Sequence, residues 1–259
     1  MEPKSLKVIY DDLYLTDYPT VSCEMPQRVQ SIMRVLAEHY PVVKPSSATD
    51  NDLLLVHTQS LVNIVKSDPQ LFRVAVAAAG GAILAANLAC EQQPSFACVR
   101  PPGHHASPDS HWGFCFFNNV AIAVESLLKR RVIGSALILD VDLHFGDGTD
   151  NFFSGRREVT VANIQDNYRE AFLRHVDEAL ASNQYDLVAI SAGFDRHVED
   201  WGGTLTTEDY FTIGRAVRDF AITKCQGRYF AVLEGGYNVN VLGENALALC
   251  QGMDNPVTP

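Results

Sequence analysis

Nowhere in the 259 residues do two cysteines form a C-x-x-C pair. The six present (Cys23, Cys90, Cys98, Cys115, Cys225 and Cys250) are scattered through apolar surroundings. That pattern excludes a disulfide framework or zinc knuckle and fits reduced thiols used as small hydrophobes, so a cytoplasmic protein is expected. Positive charge is scarce too: 20 Lys and Arg against 31 Asp and Glu give a formal net charge of −11. This balance argues against a nucleic-acid partner and mildly favours cationic ligands. No Pro-, Gly- or Ser-rich linker, internal repeat or low-complexity tract divides the chain, so residues 1–259 are expected to form one domain. The opening MEPKSLKVIY has no apolar h-region and does not read as a signal peptide. The longest apolar stretch, Leu71 to Cys90, is interrupted by Arg73, Asn87 and the Gly80-Gly81 pair, which suits a buried Ala-rich helix better than a membrane span.

What is abundant is apolar sequence, 47% of the chain, enough for a large core. The most informative part of it is LILDVDLHFGDGTD, residues 137–150. Leu137, Ile138 and Leu139 show no polar-out alternation, as expected of a parallel strand covered on both faces. Further strands fit Lys7–Tyr10, Phe96–Val99, Val159–Ile164, Leu187–Ile190 and Tyr229–Leu233. Helices fit from about Pro26, through the Ala-rich stretch, through Val120–Leu128, and at about 168–182 and 206–224. Strand–helix alternation of this kind implies an α/β fold with a parallel sheet between helical layers.

Such sheets bind ligands at the carboxyl ends of their strands, and four strand ends here carry polar clusters. After 137–139 come Asp140, Asp142, His144 and Asp147. Asp142 and His144, two apart, can point the same way and offer one hard and one borderline donor to a divalent ion such as zinc with open positions. The plain alternative is a set of acids capping the next helix. RPPGHHA places His104 and His105 on an irregular turn, where both imidazoles can reach one cavity for acid–base work. SAGFDRH places Asp195 after a strand and a glycine. LEGGYN places Tyr237 after Gly235 and Gly236, and a phenol there can polarise a carbonyl. Together these groups meet the requirements of metal-assisted hydrolysis.

RPPGHHA, GFCFFNN (Gly113 to Asn119), DVDLHFGDGT, SAGFD and LEGGYN, in this order, resemble the zinc-dependent histone deacetylases and their acetylpolyamine amidohydrolase relatives. The resemblance covers most of the chain and points to a short prokaryotic-type member. It implies a three-layer α/β/α sandwich around an eight-stranded, mostly parallel sheet, the arginase–deacetylase fold. It also implies that Asp142, His144 and Asp195 bind one Zn²⁺, with Fe²⁺ or Co²⁺ as substitutes. His105 would act as general base and later help protonate the amine. His104 would be its electrostatic and acid partner, with Asp140 orienting His104 and Asp147 orienting His105. Tyr237 would hydrogen-bond the scissile carbonyl. Phe114 would form one wall of the acyl-lysine channel, with Gly113, Gly202 and Gly236 also among the substrate-binding positions. The expected substrates are acyl-lysine peptides or proteins, or small acylated amines, acetylpolyamines among them.

Several departures bear on specificity. Relatives read Ser-Leu/Ile-His where this chain has Asn163-Ile164-Gln165, so a structural K⁺ near Asp140 is left open. The glycine-rich loop that supplies a second aromatic wall is replaced by a direct passage from Gln165 through Asp166-Asn167 to Tyr168. Asp200-Trp201-Gly202-Gly203 puts Gly202 at the gatekeeper position. Ser22-Cys23-Glu24-Met25-Pro26 stands in place of a His-Pro-Glu rim motif. These changes suggest a shallow pocket with broad acyl specificity. A homo-oligomer could roof the pocket, with Trp201 as a candidate contact. An arginase-type two-metal enzyme would need an Asp where His197 stands. A catalytically inactive acyl-binding protein would be marked by loss of a ligand, the base or the tyrosine, and all are retained.

Overall fold

The computed structural model describes residues 5–181 and 183–254; the first four residues, part of the segment read as lacking an apolar leader, lie outside them. In chain order the elements are β1 (Lys7–Ile9), α1 (Gln27–Leu36), β2 (Val42–Val43), α2 (Asp50–Leu53), α3 (Gln59–Lys66), α4 (Pro69–Cys90), β3 (Ser95–Ala97) and α5 (Asn119–Lys129). They continue as β4 (Ala136–Asp140), α6 (Asp147–Phe153), β5 (Val159–Asn163), α7 (Arg169–Ala181), β6 (Leu187–Ala192), α8 (Thr207–Lys224), β7 (Tyr229–Leu233) and α9 (Leu242–Met253). The strands form one sheet in the order β2-β1-β3-β7-β6-β4-β5, parallel throughout. Every residue of β4, β6 and β7 is buried. Helices cover both faces, which is why these strands read as unbroken apolar runs.

The sheet has seven strands among the described residues, where the family resemblance implies eight. The chain leaves β5 and turns within a few residues into α7, too short a path for another parallel crossover at that edge. The Ala-rich helix is present as α4. Asp68 caps it by accepting from the Gln70 and Leu71 amides, and Pro69 occupies its first turn. It is long and apolar enough to cross a membrane, but 67% of its most apolar stretch is buried inside the fold. Its small residues let it pack closely against the sheet.

The sheet order matters most for function. β3, β7, β6 and β4 are consecutive neighbours, and these are the four strands whose carboxyl ends carry the polar clusters. A cavity of about 580 Å³ lies at the opposite edge, near the starts of β4, β5, β6 and β7. It is lined by the paired Arg156, Glu125 and Glu158 among others and by none of the candidate site residues.

Candidate active site

β4 ends where its own acids capture the backbone that follows. The Asp142 amide donates to Asp140 Oδ1 at 3.0 Å, and the His144 amide donates to Asp142 Oδ1 at 2.9 Å. These turns stop the strand and curl residues 140–144 over its end. The Leu143 amide donates to Asp195 Oδ1 at 2.9 Å, and the Gly235 amide to Asp142 Oδ2 at 2.7 Å, so the ends of β4, β6 and β7 are tied together. A Cβ at Gly235 would stand 2.6 Å from Asp142 Oδ2 and 2.7 Å from Asp195 Oδ2. Only glycine leaves room for both carboxylates there.

Asp142, His144 and Asp195 offer ligand atoms within 4.8 Å of one another. His144 Nδ1 lies 3.2 Å from Asp142 Oδ1 and 3.0 Å from Asp195 Oδ2. Asp195 Oδ2 is buried and has no hydrogen bond of acceptable geometry. The adjacent carboxylates of Asp142 and Asp195, which accept from the ring, push the His144 pKa up to about 10. Burial, and next the Asp142 charge, push Asp195 up to about 6. Two buried carboxylates that draw in positive charge, one of them with an oxygen that makes no well-aligned hydrogen bond, are a suitable donor set for a divalent cation. A second group, His104, Cys115 and Glu234, is equally compact. Burial holds the Cys115 thiol well above its usual pKa. Glu234 Oε2 is occupied by the Gly103 and His104 amides at 2.6 and 3.0 Å, which fixes the turn carrying the histidines.

The two histidines sit in different electrostatic states. His104 Nδ1 is 3.0 Å from Asp140 Oδ2, and His105 Nδ1 is 2.7 Å from Asp147 Oδ1. Burial alone would lower His104, but Asp142, Asp140 and Glu234 outweigh it and hold its pKa well above the ordinary value. Burial, and next the His104 charge, push His105 down to about 4. The pair therefore sets one imidazole held toward its charged form beside one held toward its neutral form, their ring centroids 4.1 Å apart. Trp112 lies over the ring of His105 at 3.9 Å and donates its Nε1 proton to Asp147 Oδ2 at 2.8 Å. A Cβ at Gly113 (φ +57°) would stand 2.5 Å from His105 Cδ2, so the imidazole is also held at its edge.

Tyr237 is aimed by its backbone: its amide and that of Asn238 both donate to Asp200 Oδ2 at 2.8 Å. The Arg28 guanidinium lies 4.9 Å from the centre of its ring, and the indole of Trp201 stacks on it at 4.0 Å. Burial raises the phenol well above its ordinary pKa, against the opposing charge of Arg28, so it remains a proton donor. The ring of Phe114 stands edge-on at 6.2 Å. The residues singled out from the four strand ends thus converge on one place.

The known proteins that this chain resembles point the same way. A model of the histone deacetylase domain matches residues 22–167 and 162–253. The chain belongs to the histone deacetylase family. A probable deacetylase of Archaeoglobus fulgidus is 34% identical over 257 residues, spanning 78% of this chain and 71% of that protein. One of Methanothermobacter thermautotrophicus is 31% identical over 265 residues, spanning 82% and 78%. A histone deacetylase-like amidohydrolase of Pseudomonas aeruginosa is 28% identical over 273 residues, spanning 84% and 72%. The crystal structure of the HDA15 HD domain aligns with a TM-score of 0.82 at 23% identity, covering 98% of this chain and 92% of that one, which shows the shared fold.

Against this family background, the rim differs from what the sequence suggested. Gly202, the gatekeeper position by sequence, is directed at the Asp195–Arg196 backbone. Its amide donates to the Asp195 carbonyl at 2.7 Å, and a Cβ there would meet Arg196 Cα at 2.7 Å. The neighbouring Trp201 takes the wall position, with one face on Tyr237 and its ring centroid 5.9 Å from that of His144. Gly236 is likewise turned inward, against Leu242 and Phe194, with φ +118°. Its carbonyl accepts from Arg28 Nε. A K⁺ near Asp140, which the sequence leaves open, does not fit the residues present, since a buried arginine, Arg196, holds the Asp142 and Ile164 carbonyl oxygens.

Sequence reasoning passed over several supports of this deacetylase-family site. Arg28, Glu24, Glu234 and His57 are all buried polar residues. His57 Nδ1 donates to the Ser107 carbonyl at 3.0 Å, and Nε2 accepts from the Asn118 amide at 2.9 Å, which requires the neutral ring. Burial pushes its pKa down to about 4. A depressed histidine stabilises fully above its unfolded pKa near 6.5, and that contribution is lost as pH falls through about 4. The full difference is worth about 3 kcal/mol. The melting temperatures of the wild type and His57→Gln are therefore expected to converge as pH is lowered across this window. A gap that stays constant would show that His57 does not titrate as described.

Proposed function

We propose that this chain is a metal-dependent amidohydrolase that removes acetyl groups, and other short acyl groups, from lysine side chains or similar small amines. The carrying observation is the imidazole of His105, fixed at Nδ1 by Asp147 and lying beside an Asp-His-Asp donor set whose two carboxylates are buried. Asp142, His144 and Asp195 would hold a divalent cation, Zn²⁺ by preference with Fe²⁺ or Co²⁺ as substitutes, supplying Lewis acidity toward the acyl carbonyl and a water molecule. His105 takes the water proton at Nε2 and returns it to the departing amine nitrogen. The cationic His104, held by Asp140, offsets the negative charge that develops beside it. The Tyr237 hydroxyl donates to the carbonyl oxygen as it gains charge. Phe114, with the Gly113 backbone, and Trp201 border the acyl chain, while Trp112 shields His105 from water. The free state of all six cysteines supports a cytoplasmic location.

The test is hydrolysis of a fluorogenic acetyl-lysine amide by the purified protein. Activity is expected to disappear on exhaustive chelation and return with Zn²⁺, and native mass spectrometry should find one ion per chain. Two tightly held ions, or full activity after chelation, would overturn the assignment. Broad acyl preference is expected because a methylene contributes only ~1–3 kcal/mol even in a tight pocket. A kcat/KM for an acetylpolyamine more than ~10³ above every acyl-lysine peptide, about 4 kcal/mol, would instead make the chain a polyamine specialist.

A further inference from the structure

We propose that the guanidinium of Arg196 is a tethered replacement for the monovalent cation that the family resemblance left open beside Asp140, so that this chain needs no K⁺ to hold its site together. Arg196 directly follows Asp195 and is 1% exposed. Its Nε donates to the Asp142 carbonyl at 3.1 Å and its Nη1 to the Asp166 carbonyl at 2.8 Å. Its Nη2 reaches the Ile164 carbonyl at 3.0 Å and the Leu143 carbonyl at 3.4 Å. These oxygens come from the segments after β4 and after β5. A cage of inward-facing carbonyls is what a dehydrated K⁺ recognises. Here a planar fork of fixed donors occupies it instead. The ring of Phe172, 4.7 Å from the guanidinium carbon, closes one face.

The departures at 163 and 165 belong to the same arrangement. Asn163 turns its amide oxygen to the Gly146 amide at 2.8 Å, at the start of α6, rather than toward an ion. With its amide oriented to suit both neighbours, Gln165 donates to the Leu143 carbonyl at 3.3 Å and accepts from Arg196 Nη2 at 3.2 Å. A free cation would have to compete with the arginine for the same carbonyls. The tether also links two metal-binding candidates through one side chain: it starts beside Asp195 and ends on the carbonyl of Asp142. Its charge offsets the buried carboxylates of Asp140, Asp142 and Asp195.

The test has a stability arm that does not depend on the proposed activity. Wild-type thermal midpoints are compared in K⁺, Na⁺, Li⁺ and choline chlorides at equal ionic strength, so that screening is matched. They are expected to coincide, and kcat/KM on an acetyl-lysine amide should agree within about twofold, since screening is the only shared effect. A rise in midpoint specific to K⁺ would overturn the proposal. Arg196→Ala is expected to melt lower than wild type and to recover part of that loss on adding K⁺ or low concentrations of guanidinium. If that variant equals wild type without added ions, or is weakened and no cation restores it, the residue is a packing element and the proposal fails. If the variant cannot be purified, the wild-type comparison decides. Loss of activity with unchanged ion independence would count against the catalytic reading and not against this one.

Discussion

His105→Ala is expected to lower kcat on an acetyl-lysine amide by at least ~10², with KM and melting temperature little changed, because positioned acid–base catalysis typically contributes that much. The imidazole is pinned by Asp147 at Nδ1, covered by Trp112, bordered by His104 and pressed at its edge by Gly113. Only Nε2 is left for the proton, and His104 is a poor substitute, since Asp142, Asp140 and Glu234 hold it toward its protonated form. Tyr237→Phe should produce a loss of similar size, because removing a preorganised donor to a developing oxyanion costs ~10²–10³ in kcat. The ring would keep its packing between Arg28 and Trp201, so the variant should fold normally. Steady-state kinetics of the two purified variants settles each role. Turnover near wild type in either one means that residue has been misassigned.

The largest effect on stability is expected at Arg28. Its guanidinium donates to the carbonyls of Gly236 and Glu234 and pairs with Glu24 at 3.3 Å, all without solvent access. Arg28→Ala leaves those carbonyls without their donor and leaves Glu24 with Arg100, 2.9 Å away, as its remaining cation. Breaking a buried ion pair by removing one partner typically costs ~3–5 kcal/mol. Urea unfolding should show a loss of that order. Arg28→Lys should recover little, because a single ammonium cannot reach acceptors in three directions. A loss below about 1 kcal/mol would mean that water replaces the missing donors and that the arginine is not structural.

Much of this architecture could be read from local sequence, and the reason is physical. β4, β6 and β7 are buried on both faces, so burial writes itself as consecutive apolar residues. α4 announces itself through Asp68-Pro69 and a long alanine-rich run. The groups brought together at the site were also legible, because each follows such a strand directly. What stayed hidden depends on distant meetings. Arg28 reaches carbonyls 208 and 206 residues away. Trp201 stands in the sequence only as a candidate contact for a second chain, because nothing local shows that it stacks on Tyr237. β2 is two residues on an edge, with Val42 44% exposed, too short for any pattern. Arg196 gave no signal beyond standing next to Asp195, although the changes at Asn163 and Gln165 marked the place where it binds.

The chain contains only two tryptophans. One covers His105 and the other stacks on Tyr237, and each is roughly half exposed, at 54% and 53%. Ultraviolet emission excited in the indole band therefore originates entirely from the two sides of the catalytic cleft. Ligand entry, a change in the cleft or loss of the neighbouring histidine can each be followed by the protein's own light, with no dye attached and no background from the rest of the fold.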